Sequence, residues 1–195
     1  KALAQICVRT QPFPPGHYWS SSMPAPQRWY TPSWRRYPGN NPPQLPRLRE
    51  LLQETVTMHT MGEMKWGVLL SGGLDSSIIA ALAARPDLPS FAVGLADSPD
   101  LEAAASVASA LGLTHHSLTF TVEEGLAALT DVIYHLETFD ATTIRAAVPM
   151  YLLGRYIREQ GVKMVLSGEG SDEMFAGYLY FHRAPSAQAL YQETV

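Results

Sequence analysis

The chain has 195 residues, 46% of them hydrophobic and 16% charged, with a net charge of −4 and an isoelectric point near 5.8. That length suffices for one ordinary core, the hydrophobic fraction excludes a disordered tail, and the balance of signs excludes a strongly basic nucleic-acid binder. No apolar run reaches the roughly 18–20 residues of a membrane span, and the lone cysteine, Cys7, excludes a disulfide framework or a thiolate zinc site. Such cysteine usage fits a reducing, cytoplasmic compartment. The chain opens on Lys1 with no charged-then-apolar targeting segment, and it reads as a piece of a longer polypeptide.

Ten of the fifteen prolines and three of the four tryptophans fall within residues 1–46. Proline fixes φ and removes a backbone donor, so this stretch favours short edge strands and extended connector over helix. Lys1 to Thr10 alternates like a strand, with Cys7 as a small buried hydrophobe. Phe13 to Gly16 is a turn leading into His17-Tyr18-Trp19, a candidate hairpin partner. Ser20 to Pro46 reads as an extended connector. Its aromatics Trp29, Tyr30, Trp34 and Tyr37 either dock on the domain, the commoner case, or stack on a base.

From Leu45 the pattern changes to helical spacing through Leu48, Leu51, Leu52, Val56 and His59. Trp66 to Leu70 is a short apolar run of the buried-strand type, Ser76 to Ala84 is helical, and Ser90 to Leu95 is a second strand. Pro99 to Leu111 is an alanine-rich helix stopped by Gly112. His115 to Phe120 is a third strand, in which His115 and His116 face opposite sides and cannot share a metal. Val122 to Leu136 is an amphipathic helix, with His135 as an ordinary face residue. Pro149 to Gln160 is a further helix closed by Gly161, and Lys163 to Leu166 is a fourth strand. Strands alternating with helices predict an α/β fold, a parallel sheet with helices on both faces, preceded by a short β/extended segment.

Two segments carry chemistry. Ser71-Gly72-Gly73-Leu74-Asp75-Ser76-Ser77 directly follows a predicted strand and opens a helix, where open α/β sheets bind ligands. Paired glycines let the backbone approach an anion, free amides at the helix start point at it, and the serines add hydroxyls. Asp75 would repel phosphate unless Mg²⁺ bridges them, since Mg²⁺ takes one or two carboxylates plus phosphate oxygens. The spelling is neither a Walker loop nor a dinucleotide fingerprint. The plainer alternative is a Ser/Gly turn with an N-cap serine.

Leu166-Ser167-Gly168-Glu169-Gly170-Ser171-Asp172-Glu173 ends another predicted strand and holds three carboxylates in five residues. Burial of such a turn demands a compensating cation, and Asp172 would share the metal with Asp75 if the two loops face each other. A solvated acidic loop is the alternative, weakened by the aromatic Gly177 to His182 that follows. Between the two segments lies Glu137 to Arg145. There Arg145 beside Thr142 and Thr143 suits pyrophosphate or a carboxylate, though Arg145 pairs equally well with Asp140.

In this order the segments resemble the glutamine-hydrolysing asparagine synthetases. The first loop is similar to the pyrophosphate loop of N-type ATP pyrophosphatases, and alone it also admits GMP synthetase, argininosuccinate synthetase or a tRNA-thiolating enzyme. Ser90 to Leu95, Ser98 to Leu101, Glu137 to Arg145 and Leu166 to Pro185 narrow the resemblance, which runs from about Phe13 to the end. It implies an adenine nucleotide alpha hydrolase-like fold. Residues 1–25 would end a glutaminase domain, 26–44 a linker, and 45–195 an incomplete synthetase domain. Nothing matches the family's amino-terminal nucleophilic cysteine; Cys7 does not. Ala176 stands where glycine is usual, and the connection from Arg85 to Pro89 is short.

The implied activity is that of a carbon–nitrogen ligase with glutamine as nitrogen donor. Aspartate and ATP would give β-aspartyl-AMP and pyrophosphate, and ammonia would then give asparagine. By match, Leu69, Val93, Ser167 and Gly168 would surround adenosine, and Ser71, Gly72, Gly73, Asp75 and Ser76 would hold pyrophosphate. Asp75 and Asp172 would take Mg²⁺, and Glu169 would deprotonate ammonia or its adduct. Thr142, Thr143 and Arg145 would contact pyrophosphate or aspartate. Small molecules are the expected partners, with no nucleic acid and no membrane, and a homodimer is left open. A β-lactam-forming adenylating enzyme and a catalytically silent nucleotide-binding fragment are the alternatives.

Overall fold

A computed structural model of the chain describes residues 12–33 and 42–194. The strand expected over Lys1–Thr10, with Cys7, and the rings of Trp34 and Tyr37 lie outside those residues. The described residues form two compact units, one drawn from within Lys1–Pro43 and Leu179–Val195 and one of Gln44–Tyr178. Among the described residues no helix is long and apolar enough to cross a membrane.

In the first unit, β1 (His17–Tyr18) pairs antiparallel with β2 (Gln27–Arg28), His17 opposite Arg28. The turn expected at Phe13–Gly16 is present, and Gly16 takes φ +68°. Its carbonyl accepts the amides of Trp29 at 2.9 Å and Tyr30 at 3.2 Å. The partner of β1 therefore comes from inside the stretch expected to be an extended connector. A two-residue strand leaves too short a pattern to be read from sequence. Trp29 and Tyr30 stand ring to ring, centroids 5.6 Å apart, and are exposed. A 3₁₀ turn over Leu179–Arg183 and a helix over Ala187–Thr194 complete this unit.

The second unit is built on four parallel strands in the order β5-β4-β3-β6, and it bears out the expected α/β class. They are β3 (Trp66–Leu69), β4 (Pro89–Gly94), β5 (Thr114–Thr119) and β6 (Met164–Leu166), each within a residue or so of its predicted span. Helices α1 (Leu45–His59), α2 (Leu74–Ala83) and α3 (Pro99–Leu111) precede or link the first three strands. After β5 come α4 (Val122–Leu136) and α5 (Ala141–Glu159), and a short α6 (Ser171–Phe175) follows β6.

Side-chain alternation along the strands splits the core in two. Trp66, Val68, Leu70 and Ala92 pack with Val56 of α1, Ala80 and Ala83 of α2, and Ala104 and Ala108 of α3. Alanine at those α3 positions lets the helix lie close to the sheet. Phe91 points the other way, onto Leu153 and Ile157 of α5, and α4 covers α5 through Ala128, Val132 and Val148. Phe91, Leu70 and Leu88 are fully buried, each contributing roughly 1.5–3 kcal/mol by removing apolar surface from water.

Two local signals decide where helices begin. Thr121 and Glu124 form a reciprocal capping box at α4, with bonds of 3.1 and 2.7 Å. Asp140 caps α5 by accepting the Thr143 amide and hydroxyl, both at 2.7 Å. The helix expected to start at Pro149 therefore starts eight residues earlier, at Ala141, with Pro149 in its interior. Proline there leaves the Arg145 carbonyl without its helical donor. That loss is local, whereas the cap and the packing of α5 on Phe91 act along the whole helix.

Candidate active site between the strand ends of β3 and β6

β3 and β6 are neighbours in the sheet, yet β4 and β5 lie between them in the chain and sit on the far side of β3. The order in which the chain adds strands therefore switches from one side of β3 to the other. A crevice opens outside the carboxyl ends of β3 and β6 at such a switch point.

The loop after β3 is held by its own serines. The Ser71 and Ser76 hydroxyls are 3.0 Å apart, and Ser76 Oγ accepts the Ser71 amide at 3.2 Å and bonds the Gly73 carbonyl at 3.2 Å. Gly72 takes φ +79°, and a Cβ there would run into Ala103 and the Ala104 amide of α3. Only glycine fits, by conformation and by space. Gly73 is the N-cap of α2 and supplies no side-chain acceptor, so the first amides of this ten-residue helix are open to an anion.

The loop after β6 comes against the first one. A Cβ on Gly168 would stand 2.9 Å from the Ser76 amide nitrogen and 3.0–3.1 Å from Asp75. The absence of that atom lets the acidic segment touch the start of α2. Ser167 Oγ then accepts the Glu169 amide at 3.1 Å and turns the chain into α6.

Together the loops wall a cleft of about 430 Å³, within the range of small-molecule sites. Of the residues singled out from sequence, Leu69, Ser71, Asp75, Ser76, Val93, Ser167, Gly168, Glu169 and Asp172 line it. Gly72 and Gly73 shape its first loop without lining it. Thr142, Thr143 and Arg145 do not line it: they are exposed on the first turn of α5, where Thr143 serves the Asp140 cap. Arg145 makes no ion pair among the described residues, so the alternative pairing with Asp140 is not formed either.

Sequence reasoning missed several walls of the cleft. Ala146, Pro149, Met150 and Leu153 of α5 face it, as do Asp100 and Leu101 at the start of α3. The signal available was the three- and four-residue spacing on α5, which does not by itself separate a cleft face from a core face. Glu173 and Tyr178 also line it, and the Tyr178 phenol donates to Glu173 Oε1 at 2.6 Å. That bond, with a backbone amide, holds the Glu173 carboxyl below its ordinary range.

The cleft carries five carboxylates, Asp75, Asp100, Glu169, Asp172 and Glu173, and none of the residues lining it is Lys, Arg or His. Such a site favours a cation first and an anion only through it. The donors are hard oxygens, as Mg²⁺ requires. Among the described residues no three His, Cys, Asp or Glu side chains group into a protein cage for a metal. One carboxylate from each loop, completed by phosphate oxygens, is the arrangement this donor set fits. The histidines are elsewhere: His115 lies between Ser90 and Ser117, 3.0 Å from each hydroxyl, and His116 stacks on Phe91 at 5.1 Å. Burial, then His116, lowers the pKa of His115.

Residues 47–195 match the asparagine synthase family. The whole chain is 52% identical to 39% of a probable glutamine-hydrolysing asparagine synthetase of Schizosaccharomyces pombe. It is likewise 51% identical to 38% of asparagine synthetase B of Escherichia coli. The chain thus spans about two fifths of the length of these relatives. An NH3-dependent NAD synthetase from Campylobacter jejuni aligns with 68% of the chain, using 58% of its own, at 20% identity and a TM-score of 0.44. With a family match over three quarters of its length and full-length identity near one half to two of its members, the chain belongs to the asparagine synthase family.

Proposed function

We propose that the cleft is the adenylation site of an ATP-dependent asparagine synthetase, working in the cytoplasm. In this reading residues 1–25 end a glutaminase domain, 26–44 link, and 45–195 begin the synthetase domain. The carrying observation is the contact of the two strand-end loops at Gly168, which puts hydroxyls and amides beside carboxylates in one cleft.

The aspartate β-carboxylate oxygen attacks the α-phosphorus of ATP, the bond to the pyrophosphate oxygen breaks, and β-aspartyl-AMP forms. Ammonia, supplied from glutamine, then attacks the β-carbonyl carbon, loses a proton and displaces AMP. Ser71, Ser76 and the amides around Gly72 and Gly73 hold the pyrophosphate before and after it leaves. Leu69, Val93, Ser167 and Gly168 form the wall for adenosine. Asp75 and Asp172 would hold Mg²⁺, which would neutralise phosphate charge when bound. Glu169 accepts the proton from the attacking nitrogen. Thr142, Thr143 and Arg145 would reach pyrophosphate or aspartate only if the first turn of α5 turns towards the cleft. Positioning and electrostatics carry most of such a reaction.

ATP–pyrophosphate exchange in the full-length protein tests this. Exchange that requires L-aspartate and is not supported by L-glutamate is the expected result. Exchange independent of any amino acid would overturn the substrate assignment.

A further inference from the structure

Asp172 and Glu173 are consecutive carboxylates on α6, and both line the cleft. Two adjacent carboxylates beside one cation site can both ligate it, and the longer glutamate has the greater reach. The structure holds the two differently. Asp172 lies against Gly177, where any Cβ would overlap its Oδ1, and the Gly177 amide donates to the Asp172 carbonyl at 3.0 Å. Glu173 is tied through Oε1 to the Tyr178 phenol at 2.6 Å, the length of a charge-assisted O–H···O⁻ bond. One dipeptide, Gly177-Tyr178, therefore positions both carboxylates.

We propose that Tyr178 is a positioning residue: by binding Glu173 it withdraws that carboxylate from the divalent cation and leaves Asp172 as the ligand from α6. This rests on the assignment of Asp75 and Asp172 to that cation. Phenylalanine at 178 keeps the ring as a cleft wall but frees Glu173 to join the metal. Affinity for a hard cation rises with the number of carboxylates that reach it. The released variant should therefore bind the ion more tightly and use it less well, the opposite of what a loosened fold does.

The test is Mn²⁺ binding to the full-length protein without nucleotide, read from the free-ion electron paramagnetic resonance signal, alongside ATP–pyrophosphate exchange. Tyr178→Phe should tighten Mn²⁺ about fivefold, through the added carboxylate, while exchange falls. Glu173→Gln placed in the Tyr178→Phe background should return Mn²⁺ affinity to that of the parent. Unchanged or weaker Mn²⁺ binding by Tyr178→Phe would overturn the proposal, as would a double variant that stays tight. If neither Asp75→Asn nor Asp172→Asn weakens Mn²⁺ binding, the cation assignment itself is wrong and the proposal falls with it.

Discussion

The loop after β3 offers hydroxyls and amides, from Ser71, Ser76 and the open start of α2, whereas the segment after β6 offers Glu169, Asp172 and Glu173 within five residues. The first is stabilised from within, by its serine hydroxyls. The second is positioned from outside, by Gly177 and Tyr178. An anion cradle needs only backbone and neutral donors, so it can be self-contained. A row of carboxylates repels itself and its ligand, so each member needs a fixed partner or a cation. The contact at Gly168 joins the two, and Asp75 is the member of the first loop that carries the chemistry of the second.

The largest effect should come from removing a carboxylate proposed to hold the cation between them. Asp75→Asn and Asp172→Asn should each lower Mg²⁺-dependent adenylation by about a hundredfold or more, since metal-ion charge stabilisation is worth several kcal/mol. Near-parental exchange in either variant would exclude that residue as the proposed cation ligand. Pushing the loops apart comes next. Gly168→Ala places a methyl group 2.9 Å from the Ser76 nitrogen, and overpacking of this kind costs about 1–3 kcal/mol. ATP affinity in that variant should fall about tenfold or more in a calorimetric titration.

Glu169→Ala acts on one loop only. It should slow ammonia-dependent turnover by about 10²-fold, the usual contribution of a positioned base, and leave aspartate-dependent exchange largely in place. Full turnover in this variant would exclude the base assignment.

The smallest effect lies outside the cleft, at Asp140. Its carboxyl is held below the ordinary range by the Thr143 hydroxyl and then the Thr143 amide. A depressed carboxylate stabilises the fold above its unfolded pKa, and that contribution is lost as pH falls through the folded value. Hydrogen-exchange protection of the Thr143 amide should therefore drop on acidification, and Asp140→Ala should lose the protection at neutral pH as well.

The parts of this site legible in the sequence are those written contiguously. Buried parallel strands such as Trp66–Leu69 read as apolar runs, and the two loops announce themselves by Gly, Ser and carboxylate immediately after a strand. Their meeting is not contiguous, because it depends on β6 pairing with β3 across nearly one hundred residues. Proline is favoured at a first helical position, so Pro149 competes as an entry to α5. The Asp140–Thr143 cap outweighs that signal. With α5 starting at Ala141, Thr142, Thr143 and Arg145 lie on an exposed helical turn while Ala146 and Met150 reach the cleft. Tyr178 was legible only as an aromatic, since a five-residue reach back to Glu173 follows no regular period.

The most direct test of adenylation in this cleft is to follow oxygen from L-aspartate labelled with ¹⁸O in its side-chain carboxylate, using the full-length protein with ATP, Mg²⁺ and ammonia. Attack of that carboxylate on the α-phosphorus leaves one labelled oxygen on AMP after ammonia displaces it. Label in AMP, with unlabelled pyrophosphate, is the predicted result. Label in inorganic phosphate, with ADP as the nucleotide product, would contradict it and place the attack on the γ-phosphorus.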